Sequence, residues 1–161
     1  MAWTKPSRNY MIVALTRDRM ILDTLSGYFS AREGVTIFDL LGLREDLAGK
    51  FIGTYDIDIV FIEKGAVENG QDGLLYEIIN KVEAERNGVI THFVIRYDHE
   101  CPDKMAGLGN ALLKKKLPVT MFRLVNKDDC LILAQSMHGI INEREHAKIR
   151  GMKMLEQELT N

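Results

Sequence analysis

The sequence predicts an α/β domain, a doubly wound five-stranded parallel sheet, and two observations carry that expectation. The first is the stretch DIDIVFIEKG, Asp56 to Gly65. There Ile57, Ile59, Val60, Phe61 and Ile62 make a nearly continuous β-branched and aromatic run that stops at Glu63, Lys64 and Gly65. A strand covered on both faces, in the middle of a parallel sheet, has this composition. The second is alternation. Runs of this kind and segments of helical period follow one another along the chain with short connections, which implies helices on both sheet faces and right-handed crossovers. Five such strands favour the order 2-1-3-4-5, one of the two common doubly wound arrangements.

Each element has its own signal. YMIVAL, Tyr10 to Leu15, is the first strand, and Thr16 or Asp18 is a good N-cap for the helix carrying Ile21, Leu25, Tyr28 and Phe29, with Gly34 as its stop. Val35 to Leu41 is the second strand. Leu43, Leu47 and Phe51 stripe the next helix, which Gly53 ends before the third strand, Asp56 to Ile62. A turn-rich loop leads to a helix marked by Leu74, Leu75, Ile78, Ile79 and Val82 and closed by Asn87-Gly88. Val89 to Tyr97 is the fourth strand. The helix from Pro102 to Lys116 is weakened by Gly107 and Gly109, each costing about 1 kcal/mol relative to alanine. Pro118 introduces the fifth strand, Val119 to Val125, and Asn126 caps a final helix with Asp128 and Asp129 in its first turn.

That last helix is longer than the sheet requires. About 15 to 18 residues suffice to cover one side of such a sheet, at a rise of about 1.5 Å per residue. The helical pattern nevertheless runs through NEREHAKIRGMKMLEQELTN, where Ile149, Met152, Met154, Leu155 and Leu159 stand among charges. The expected organisation is therefore a loose segment over 1–9, a domain over 10–142, and a projecting helix over 143–161 whose apolar stripe, including Ile149, Met152 and Leu155, seeks a partner. A frayed tail is the alternative.

Composition narrows the function. The chain has 161 residues, 46% hydrophobic and 27% charged with three prolines, which is a folded composition. A net charge of −2 gives no general reason to expect nucleic acid or an anionic membrane as partner. Lys114-Lys115-Lys116 complements a helix carboxyl end. Cys101 and Cys130 form no CxxC, so reduced thiols in a cytoplasmic protein are expected. The sequence has no apolar leader and no membrane-length apolar run. His92, His99, His138 and His146 lack metal-ligand spacing, and no metal or cofactor is expected. ALTRDRM, after the first strand, has no glycine, so neither common phosphate-loop motif is present.

From Tyr10 to Ile141 the chain resembles the receiver domains of bacterial response regulators. DRMILDTL is similar to the start of a receiver's first helix, DIDIVFIE to the strand that ends at the phosphorylated aspartate, and Asp72-Gly73 to the opening of the third helix. The resemblance implies a flavodoxin-like fold and a role in two-component signal transduction. The family's acidic, magnesium-holding pair falls on Thr16 and Arg17, with Asp18 one step on. The phosphoacceptor falls on Glu63, the hydroxyl position on Arg96 (or Ile95, one place earlier), and the lysine on Arg123, with Leu124 in place of the proline.

Phosphoryl transfer to a carboxylate needs a divalent ion on hard oxygen ligands, which one hydroxyl and one cation do not provide. Glu63 also sets its carboxylate a methylene too far out for in-line attack. The expectation is a pseudo-receiver without catalytic residues, in which Arg17, Arg96 and Arg123 around Glu63 replace metal and lysine. It would act by protein–protein interaction, through the fourth helix, fourth loop and fifth strand (including Tyr97, Met105 and Leu108), or as a homodimer through the last helix or the face of the fourth helix and fifth strand. The alternative is a binding domain for an anionic small molecule or nucleotide around Glu63.

Overall fold

Successive side chains of a strand point to opposite faces, so strands apolar at every position must be covered on both sides. The computed structural model describes residues 6, 8–63, 72–84, 91–97, 103–124, 126 and 128–160, with the side chains at 45, 72, 103, 104, 148, 149, 152 and 160 outside the description. The elements are β1 (Tyr10–Leu15), α1 (Arg19–Ser30), β2 (Val35–Asp39), α2 (Glu45–Thr54), β3 (Ile59–Glu63), α3 (Asp72–Ala84), β4 (His92–Tyr97), α4 (Asp103–Lys114), β5 (Val119–Arg123) and α5 (Asp129–Thr160). All pairings are parallel and the order is β2-β1-β3-β4-β5, the expected fold class.

Two cores follow from the alternation. Val13, Leu15, Val60, Ile62, Phe93 and Ile95 face α2, α3 and α4, where Ile52, Leu75, Ile78, Met105 and Leu112 meet them. Ile12, Ala14, Ile59, Phe61 and Val94 face α1 and α5, against Ile21, Leu25, Phe29, Leu133, Met137 and Ile141. Tyr28 and His138 join these two helices through a 2.7 Å hydrogen bond between the hydroxyl and Nδ1. Burial, then the charge of Arg32, lowers the pKa of His138.

Several boundaries differ from expectation for local reasons. β2 stops at Asp39 because its carboxylate accepts the Gly42 amide at 3.2 Å, winding Leu40–Gly42 into a 3-10 turn that buries Leu40. Gly34 lies beyond the end of α1 and turns the chain into β2 at φ +90°, where a Cβ would come within 2.7 Å of the Pro6 ring. Asp18 is the cap of α1, accepting from Met20 and Ile21 at 3.1 and 3.3 Å. At the start of α5 the Asn126 amide donates to the Asp129 carboxylate at 3.2 Å, and the Asp129 amide to the Asn126 carbonyl at 3.0 Å. The Asn87-Gly88 stop and the expected strand end at Val125 fall outside the described residues.

The amino end of the sheet holds a polar network that ties both ends of the chain to its middle. Asp58, just before β3, is wholly buried. Its carboxylate accepts the Met11 amide at 2.8 Å, the Arg8 guanidinium through both Nη atoms, and Arg144 of α5 at 3.4 Å. Arg8 also lies over the Tyr10 ring, 4.0 Å from its centroid, and the Tyr10 hydroxyl donates to Glu145 at 2.6 Å. Burial and the Glu145 bond push the Tyr10 pKa up to about 12, so the phenol stays protonated as a donor. Burial lowers the pKa of Arg144, and Asp58 opposes that shift.

These ties reach outside the expected 10–142 unit at both ends. Arg8 is anchored within the segment expected to be loose, and α5 is still docked at Arg144 and Glu145. The helix spans 32 residues without a break. From Arg150 to Leu159 every described side chain is exposed. Among the described residues no helix is long and apolar enough to cross a membrane.

Removing one partner of a buried ion pair leaves the rest uncompensated. Asp58→Ala is therefore expected to lower the unfolding free energy by about 3–5 kcal/mol, read from denaturant midpoints at constant slope.

Candidate functional site

Ligands of open α/β sheets collect beyond the carboxyl ends of the strands. There the register aligns Leu15 with Ile62 and Glu63 with Arg96. Thr16, Glu63 and Arg96 consequently follow one another across three adjacent strands. Alternation puts all three on the α1/α5 side of the sheet, one step beyond Ala14, Phe61 and Val94.

Thr16 and Glu63 are both buried, and the Thr16 hydroxyl donates to Glu63 Oε2 at 3.0 Å. The same hydroxyl accepts the Asp18 amide at 3.0 Å. Asp18 spends its own carboxylate on the first turn of α1. The stretch after β1 thus presents a hydroxyl bonded to Glu63, an exposed Arg17 and a capping aspartate. Among the described residues no group of three or more His, Cys, Asp or Glu side chains gathers as a metal site.

Arg96 is half-buried and directs Nη2 to the Leu124 carbonyl at 3.1 Å. Its Nε is buried and meets no acceptor among the described residues. The charge of Arg96 is also felt at the buried Cys130 thiol. Burial raises that thiol's pKa, the charge of Asp18 adds to the rise, and Arg96 opposes it. Arg123 does not join this group. It pairs in register with Tyr97, one place beyond the Arg96–Phe122 pair, and alternation sends it to the other face, where it is exposed.

The expected partner surface also changes. Met105 is wholly buried in the core under α4, because its face of the helix meets β4, so it cannot be offered to a partner. Leu108 is half-buried against the same core, and Tyr97 is half-buried with its carbonyl accepting the Leu124 amide at 2.8 Å. Among the described residues on this side, Leu113 and Met121 are large apolar groups that are exposed. On the last helix Leu155 is exposed, while the side chains of Ile149 and Met152 lie outside the described residues, as do His99 and Cys101.

At the opposite end of the sheet an open cleft of ≈ 520 Å³ runs along α5, with Pro118 and Ile140 on its apolar wall and His92, Arg144, Ala147 and Arg150 around it. His92 Nε2 lies 2.7 Å from the Thr120 hydroxyl, and burial, then the charge of Arg144, lowers its pKa.

Strand order, register and two-sided cover define a doubly wound α/β domain of the flavodoxin-like order. No protein-family model matches the chain, and no curated protein does. Among solved structures the chain is similar to a CheY-like protein, tadZ, from Pseudomonas aeruginosa PAO1. Identity is 17%, over 80% of this chain and 98% of that one, with a TM-score of 0.45.

Thr16 links the end of β1, Glu63 and the start of α1 through one hydroxyl. Thr16→Val keeps the shape and removes both bonds, so it is expected to cost about 1–3 kcal/mol in denaturant unfolding.

Proposed function

We propose that this chain is a pseudo-receiver, a regulatory module that signals by protein–protein contact without being phosphorylated. The observation that carries the reading is the Thr16–Glu63 hydrogen bond. In a receiver the acceptor carboxylate faces a magnesium ion held by neighbouring acids. Here the carboxylate is a glutamate, buried and bonded to a threonine, and the nearby aspartate caps a helix. A phosphoryl group arriving at Glu63 would meet no metal-holding pair to neutralise its charge. The bonded arrangement instead fixes this face in one state, and a module with one state acts by offering surface. Output through binding, by self-association or by docking on a partner in the cytoplasm, is the form that fits.

Incubation with a small phosphodonor and magnesium is expected to leave the intact mass unchanged. Gain of one phosphoryl group, labile in base and lost in Glu63→Gln, would overturn the reading.

A second reading draws on Arg96, whose buried Nε lacks an acceptor among the described residues. A guanidinium at the carboxyl end of a central strand can receive a small anion or a nucleotide phosphate. If it does, the unfolding temperature will rise with ligand concentration in phosphate or nucleotide and the rise will vanish in Arg96→Ala. A flat response to both ligands would exclude it.

A further inference from the structure

We infer that the exposed end of α5 pairs antiparallel with the same segment of a second copy, its tip reaching the cleft beside α5. The inference deepens the contact-based reading above and rests on it.

Residues four apart lie one above the other on a helix. Ala147, Gly151, Leu155 and Leu159 form such a row, two small residues followed by two large ones, all exposed. A Cβ placed on Gly151 would meet nothing within 4 Å, so the surface above it is open. Turning a second helix end for end opposes Gly151 to Leu155 and Ala147 to Leu159, in both directions at once. Each leucine then fills the space over a small residue, and rows of this spacing interlock when helices pack. A parallel pair would set leucine against leucine and leave the glycines facing a gap.

Charge favours the same orientation. Arg150 precedes the leucines, while Glu156 and Glu158 follow the first of them. Antiparallel pairing brings the basic half of one helix beside the acidic half of the other, whereas parallel pairing stacks like on like. Ala147 also lines the cleft, with Glu143, Arg144, His146 and Arg150 from the same helix, so the partner's Leu159 that faces Ala147 ends at the cleft's edge.

The test is the solution mass of the full chain by light scattering over a concentration series, with two variants. The wild type is expected to dimerise and Leu155→Glu to be monomeric. Gly151→Leu raises helix propensity yet fills the gap the partner's leucine needs, so it is expected to be monomeric while giving an unchanged circular dichroism spectrum. Orientation is read by mixing Gly151→Cys and Leu155→Cys chains that carry alanine at Cys101 and Cys130. Oxidation should favour the mixed 151–155 disulfide over either self-linked product. A dimer that persists in Gly151→Leu, or that links Leu155→Cys to itself, overturns the antiparallel arrangement and leaves contact-based function standing. A wild type that stays monomeric at all concentrations overturns self-pairing, and the phosphodonor experiment then decides the broader reading separately.

Discussion

The carboxylate of Asp58 is the constraint on which the assembled domain depends. It lies at the base of the central strand with essentially no access to water, a position that is costly for a charge unless it is paired and hydrogen-bonded. The partners come from three places: Arg8 before the first strand, the amide of Met11 within it, and Arg144 on the last helix. Because Asp58 also exchanges backbone bonds with Met11 and His92, its position fixes both neighbours of the central strand. The long helix is held at a defined place and angle by this network together with the Tyr10–Glu145 bond.

The other end of the sheet is arranged differently. Three adjacent strands end in a threonine, a glutamate and an arginine on one face, and each is tied to backbone or to a neighbour. At both ends of the sheet most of the polar groups at strand termini are bonded within the domain, the Arg96 Nε being the exception among the described residues.

Elements whose identity rests on local pattern could be read from the sequence. The strand cores and the length of the final helix follow from periodicities of two and 3.6, and residue type narrowed the first cap to Thr16 or Asp18, of which Asp18 is the one. The placement of Thr16 and Glu63 next to each other was accessible too, because it needs only strand order and register. Arg123 was not, since one residue of register reverses the face of a side chain. Met105 sits on a helix weakened by glycines, with apolar residues on more than one side, and the pattern could not tell its core face from its outer one. The Asp58 network was least legible of all. Arg8 and Arg144 are ordinary surface charges by composition, and nothing local marks an arginine that will meet an aspartate far along the chain. Asp58 itself carried a hint, an acidic residue directly before a fully apolar strand.

The sequence separation of these partners has a consequence for how the chain acquires its fold during synthesis. Arg8 and Asp58 are made early, and the half of the sheet they join can assemble while translation continues. Arg144 is 86 positions after Asp58, and Glu145 is 135 after Tyr10. Contacts of that span close late, because loop entropy must be overcome before they reward the chain. Until the last helix emerges, the nascent domain therefore keeps one flank of its sheet bare and the aspartate only partly compensated. Docking of α5 then covers that flank and completes the partners of Asp58.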